Sequence, residues 1–265
     1  MSGFKLISSG GLTLCVPEMF SEAGIPCAFT TRPGGVSAGT LSSLNFRRNR
    51  DAADNFLKNI DLLSHAVGFD KSSAVHTSQV HGDVIFTVKR DSGGNVSAPT
   101  DSCDALITNE TGVTLFAYTA DCVPILLCDP AAKCVGAVHA GWRGTANGIL
   151  LKTVNRMREE FGCLPQNILA AIGPAISQEN FEVDGDVYAA LKSALKDADR
   201  YIFRRGEKYF PDLKGLNRLW LEYGGVPKEN IAVSGLCTYD NPLLFWSHRR
   251  DGDSRGCQAA VISPG

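Results

Sequence analysis

The sequence predicts a mixed α/β domain in which strands and helices are interleaved along the chain. Three observations carry this expectation. Short segments rich in Val, Ile and Leu recur at strand length, several longer segments repeat apolar residues at helical spacing, and two adjacent strands are joined by a turn too short for a crossover. The last feature requires an antiparallel pair and so argues against a purely parallel sheet.

Taken in order, Asp51–Val67 reads as the first helix and Val84–Val88 as a strand. The polar stretch Arg90–Asp104, RDSGGNVSAPTDSCD, is rich in Gly, Ser and Pro and reads as a long surface loop. Strands follow at Val113–Tyr118, Val123–Cys128 and Val135–His139, with Asp129-Pro130-Ala131-Ala132-Lys133 as a hairpin turn between the last two. A helix over Thr145–Phe161 is the clearest element. Ile149, Leu150, Val154, Met157 and Phe161 share one face, and Gly162 stops it. Ile168–Ile172 reads as a strand, Asp184–Leu195 and Pro211–Tyr223 as helices, and Ile231–Val233 and Ala259–Ile262 as the closing strands. No internal repeat or convincing linker divides the chain, so a single domain over residues 1–265 is expected.

Composition narrows the function classes. Hydrophobic residues make up 44% and charged residues 20%, ordinary for a globular chain able to bury a core. A formal net charge of -2 gives no support for nucleic-acid binding by bulk electrostatics. The N-terminal apolar stretches are broken by Ser8-Ser9-Gly10-Gly11, unlike a secretory signal. The runs Val123–Cys128 and Cys134–His139 fall far short of the roughly 20 residues that span a bilayer. A cytoplasmic protein with no membrane partner is expected. The nine cysteines are odd in number, irregularly spaced and without a CxxC pair, which favours reduced thiols over a disulfide framework.

The chemistry gathers at strand ends. His81 lies in QVHG before a strand, Cys122 in TADCVP between two strands, and His139 at the end of a buried strand before AGWRG. Two imidazoles and a thiolate suit a borderline-soft metal, and three protein ligands leave a fourth position open, as in catalytic zinc sites. Gly82, Gly141 and Gly144 mark sharp turns or close backbone approach beside them. Gly141–Gly144 precedes the strong helix, so Arg143 and the helix terminus favour an anion there. Arg32, in TTRPGGVS, and Asn45, in SSLNF, form a second turn region suited to phosphate. Asp121, next to Cys122, is a candidate acid–base group or a support for His139 or His81.

TTRPGGVS (30–37), SSLNF (42–46), QVHGDVI (79–85), TADCVPILLCDP (119–130), AVHAGWRGTANGIL (137–150), IGPAIS (172–177), FEV (181–183) and CTY (237–239) together resemble the YfiH/laccase-domain family. The resemblance runs from about Cys27 to Ile262. It implies a layered α/β/β/α fold and a zinc site on His81, Cys122 and His139. It also implies purine nucleoside phosphorylase activity on adenosine, inosine or methylthioadenosine, with adenosine deaminase activity as a further possibility. One departure is visible. Where the family carries arginine in a GRQA-like run, this chain has Arg255-Gly256-Cys257-Gln258-Ala259. Either Arg255 serves from two positions away or the contact is missing.

Other readings compete. Copper-dependent phenol oxidation, the older family activity, accords with a His2Cys set. A multicopper cluster needs many more histidines, and beyond His81 and His139 there are His65, His76 and His248 alone. Cys122 as a nucleophile with His139 or His81 as base would make a thiol hydrolase. A binding module without catalysis is the fourth reading. Purine nucleosides and phosphate are the implied partners; the sequence names no protein partner and no oligomeric state.

Overall fold

The computed structural model describes residues 3–264. Its frame is two six-stranded mixed sheets packed face to face, with helices on both outer faces. The first sheet runs, edge to edge, Phe4–Ser9, Leu12–Pro17, Cys27–Thr30, Gln258–Ile262, Thr114–Thr119 and Ala74–His76. The second runs Ile231–Val233, Leu169–Ile172, Val123–Asp129, Cys134–Ala140, Ala105–Thr108 and Ile85–Thr87. Neighbours are antiparallel, except the edge pairs Ala74–His76 with Thr114–Thr119, Ile231–Val233 with Leu169–Ile172, and Ile85–Thr87 with Ala105–Thr108.

Strand alternation builds three apolar layers. Leu115, Ala117, Leu126, Cys128, Val135 and Ala137 point between the sheets. Phe116 and Val261 point the other way, onto Phe56, Ile60 and Leu63 of the helix Ala53–Val67. On the far face, Ile125, Leu127 and Val138 meet Ile149, Val154 and Met157 of the helix Ile149–Phe161 and Leu216 of the helix Leu213–Tyr223. This is the α/β/β/α layering the motifs imply. No helix among the described residues is long and apolar enough to cross a membrane.

Every strand read from the sequence is present, with ends shifted by a residue or so. The long helix expected over Thr145–Phe161 is two helices, Trp142–Ala146 and Ile149–Phe161. Gly148 separates them with a φ of 70°, a left-handed conformation that costs glycine little, and a Cβ there would lie 3.3 Å from the Trp220 ring. Phe4–Ser9 and Leu12–Pro17 pair through a two-residue turn at Gly10 and Gly11, whose φ values of 56° and 79° meet the demand of a type I′ hairpin. The glycines that break the N-terminal apolar stretch are therefore the turn of a hairpin. The expected hairpin around Pro130–Lys133 joins Val123–Asp129 to Cys134–Ala140.

All nine cysteines are free thiols, most of them buried. They behave as small apolar side chains, as the spacing led us to expect.

Candidate metal centre

Parity places His139. Val135 and Ala137 of its strand face between the sheets, so His139, two residues on, does the same, where that space opens at the strand ends. Cys122 reaches the same opening by another route. The strand Thr114–Thr119 belongs to the first sheet and Val123–Asp129 to the second, so residues 120–122 are the link that crosses between them. Asp121 turns that link with a φ of 86°. His81 enters from the loop ahead of Ile85–Thr87, also in the left-handed region at a φ of 62°.

The ligand atoms of His81, Cys122 and His139 lie within 4.8 Å of one another. The two imidazole rings stand nearly perpendicular, 84° apart, with centroids 4.8 Å apart. Gly141 lies beside them because nothing larger fits. A Cβ there would come within 2.9 Å of His81 Cδ2 and 3.2 Å of Cys122 Sγ. Gly144 is similarly crowded, since a Cβ there would lie 3.0 Å from the Gly82 carbonyl oxygen, whereas one at Gly82 would meet only ordinary contacts. The close approach expected at these glycines is thus found at two of the three.

A residue the sequence reading passed over organises the centre. Asp104, fully buried, accepts the His139 Nδ1–H at 2.7 Å. It also accepts the backbone N–H groups of Val80 (3.2 Å), His81 (3.0 Å) and Gly82 (2.8 Å). The consecutive N–H groups form a nest around the carboxylate, which offsets the left-handed strain at His81. With Nδ1 engaged, His139 presents Nε2 to a ligand. Burial opposes charge on Asp104, but His139 and the nest hold its carboxyl below the ordinary range. Burial likewise opposes the Cys122 thiolate, yet the neighbouring histidines, His139 foremost, bring it down to about 6. His139 rises to about 9 despite its burial, through Cys122 and Asp104. A thiolate beside two imidazoles, one with its outer nitrogen anchored by a carboxylate, is a donor set that fits zinc or copper.

The centre lies on the wall of a cavity of about 580 Å³. Trp142, Ile176, Phe181 and Leu213 are among the residues that line it, as are Thr77, Gln79, Tyr118 and Cys257. Arg143, Arg249, Arg255 and His248 also reach it. Arg143 is exposed and stacks on Trp142, its Cζ 4.2 Å from the ring. The helix there starts at Trp142, so Arg143 sits in its first turn rather than ahead of it.

Three expected site residues take other work. Arg32 does not line the cavity: its Nε donates to the Ser42 carbonyl at 2.6 Å and its guanidinium stacks on Trp246 at 3.9 Å. Asn45 is fully buried away from the cavity lining, holding Asp51 through Nδ2 and the Arg47 and Cys257 amides through Oδ1. Asp121 touches the cavity but supports neither histidine. Its carboxylate accepts Thr238 Oγ1 (2.6 Å), Ser247 Oγ (3.0 Å) and the Arg249 amide (2.6 Å). These contacts tie the two chain segments behind the cavity to the sheet crossover. Such pairings are long-range and carry no local signal.

Comparison with known proteins agrees with the motifs. The model of the family described as multi-copper polyphenol oxidoreductase laccase matches residues 26–264, and the chain belongs to that family. It is 39% identical over 238 residues to a protein of Deinococcus radiodurans named purine nucleoside phosphorylase, covering 90% of this chain and 88% of that one. It is 38% identical over 240 residues to purine nucleoside phosphorylase YlmD of Bacillus subtilis, covering 88% and 86%. The crystal structure of the Bacillus licheniformis hypothetical protein YfiH superposes with a TM-score of 0.91 at 30% identity, over 100% of both chains. The mixed α/β fold and the YfiH resemblance read from the sequence both hold.

Proposed function

We propose that the protein is a zinc-dependent purine nucleoside phosphorylase acting on adenosine, inosine or related nucleosides, methylthioadenosine among them. The observation that carries this reading is the His81–Cys122–His139 group on the wall of a cavity large enough for a nucleoside and phosphate together. The names borne by its relatives point the same way. In the reaction the C1′–N9 bond breaks with its electron pair leaving on the base, and a phosphate oxygen forms the new bond to C1′. Free base and ribose 1-phosphate result.

The chain's own groups suit these tasks. Trp142, Phe181, Ile176 and Leu213 line the cavity and offer apolar surface of the kind a purine requires. Arg143 and Arg249 bring positive charge to the cavity, where phosphate must be held against a developing positive centre on the sugar. Asp104 fixes the tautomer and direction of His139. Zinc, when bound, supplies a Lewis acid that draws charge from an oxygen atom. Asp121 acts through the segments it holds, since both its oxygens are committed to other residues. Deamination of adenosine belongs to the same proposal, with its proton carrier sought elsewhere than Asp121.

A second reading has its own observation. Cys122 lies against His139, which lowers its thiol to about 6, and this is also how a thiol nucleophile and its base are arranged. Multicopper oxidation has less support. Among the described residues one group of three or more metal-ligating side chains occurs, while His76 is engaged by Tyr118 and His65 lies exposed on a helix. Elemental analysis joined to an inosine assay tests the proposal. About one zinc per chain and phosphate-dependent release of hypoxanthine are expected; activity in metal-free protein would overturn it.

A further inference from the structure

Arg255 enters the cavity with half of its guanidinium spoken for. Nη1 donates to the Gly256 carbonyl (3.0 Å) and to Cys257 Sγ (3.1 Å). Nε is buried and has no hydrogen-bond partner, and Nη2 donates to no described residue. Asp253, two positions earlier, is paired with Arg47 instead (3.6 Å). The backbone around Arg255 is pinned on both sides. Arg47 Nη1 donates to the Arg255 carbonyl at 3.1 Å, the Cys257 amide donates to Asn45 Oδ1 at 3.0 Å, and the Phe46 amide to the Cys257 carbonyl at 3.1 Å.

The two unused donors lie on one edge of the guanidinium. That edge is the fork that meets two oxygens of a phosphate or carboxylate at once. A buried N–H left unpaired is unfavourable, and the residue that carries it borders a cavity lined by no free carboxylate: Asp121, the one acid lining it, is engaged by Thr238, Ser247 and Arg249.

We propose that Arg255 is an oxyanion-holding residue of this cavity, its side chain turning on binding so that the buried Nε and Nη2 together receive two oxygens of a tetrahedral phosphate. The phosphate is either free inorganic phosphate or the 5′-phosphate of a purine nucleotide. The role of free phosphate rests on the phosphorolysis reading; the site itself does not. Asn45 then serves the ligand indirectly, by holding the Cys257 amide in the segment that leads from Arg255 into the strand Gln258–Ile262.

Calorimetric titration of the purified protein with inorganic phosphate, with AMP and with inosine tests this. Arg255→Gln is expected to weaken one of the two anions by about tenfold or more, as loss of charge-assisted hydrogen bonds does, and to leave inosine binding unchanged. Arg255→Lys keeps the charge without the fork and is expected to fall between the two. Arg158→Gln, which removes the same charge from the exposed face of a helix, is expected to bind as the native protein does. Weakened phosphate binding identifies the free anion, and weakened AMP binding alone identifies the nucleotide. If Arg255→Gln and Arg255→Lys bind both anions as tightly as the native chain, or the native chain binds neither, the proposal is wrong. Phosphate binding through Arg255 in a protein that releases no base from inosine would leave this site standing and remove the phosphorylase reading.

Discussion

Asp104 and His139 face each other across neighbouring strands, with Asp104 Oδ1 2.7 Å from His139 Nδ1. The register accounts for it. Ala105 pairs with Val138 and Leu106 with Ala137, so one step further brings Asp104 opposite His139, and the His139 amide donates to the Asp104 carbonyl at 2.8 Å. One buried carboxylate therefore aims His139 and, through the nest at Val80–Gly82, also positions His81.

Asp104→Asn should weaken metal binding by about 10- to 100-fold, because the amide keeps the shape but turns a donor toward groups that themselves donate. Competition with a chelator of known affinity measures this. Native affinity in the variant would remove Asp104 from the centre's support.

Cys122 separates the metal reading from the nucleophile reading. A carboxylate can ligate zinc, whereas a serine hydroxyl does so poorly at neutral pH. Cys122→Asp should retain part of the zinc and part of the activity, and Cys122→Ser should lose most of both. Full zinc with no activity in Cys122→Ser would favour the nucleophile.

Gly141→Ala tests the crowding beside the ligands. The native φ of -71° suits alanine, so any effect comes from the added methyl, which lands 2.9 Å from His81 Cδ2 and 3.2 Å from Cys122 Sγ. Metal content should drop while the thermal midpoint moves little. A variant with native metal content would show that the ligands have room to yield.

Arg143 and Arg32 should part company. Arg143→Ala should raise the KM for phosphate several-fold, since the residue borders the cavity. Arg32→Ala should leave that KM alone and cost about 1–2 kcal/mol of stability, through loss of the Ser42 hydrogen bond and the stacking on Trp246. Steady-state kinetics and denaturant unfolding on both variants decide the matter.

His76 gives a pH signature. Burial, with Arg48 nearby, pushes it from 6.5 down to about 4, and its Nδ1 is hydrogen-bonded with the Tyr118 hydroxyl at 2.6 Å. Between those values the unfolded chain takes up a proton that the folded chain refuses. Stability therefore falls as pH drops from about 6.5 to 4. His76→Asn should show an acid slope shallower by about 1 kcal/mol per pH unit in that window, read from unfolding curves. Parallel slopes would refute the assignment.

The sequence by itself determined which residue types gather at the centre and which faces of the elements are buried. Cys122 and His139 adjoin strand ends and His81 lies in the loop before a strand, and apolar spacing along Val123–Asp129 and Ile149–Phe161 records local burial, which depends on residues close in the chain. Tertiary structure decided what those groups touch. The partner of His139 is 35 residues away at the tail of a polar loop, set by the register of two strands. Arg32 and Asn45, in glycine- and serine-rich turns suited to phosphate, are drawn into contacts with Trp246 and Cys257, more than 200 residues distant. Asp121 adjoins a ligand in sequence, yet the left-handed turn at its own backbone sends its carboxylate to Thr238 and Ser247. Arg255 reaches the cavity because the last strand pairs with Thr114–Thr119, which leads into Cys122. Periodicity along a chain reports the side of an element that avoids water. Pairing between distant segments is fixed by the packing of the whole, and that pairing assembled the site.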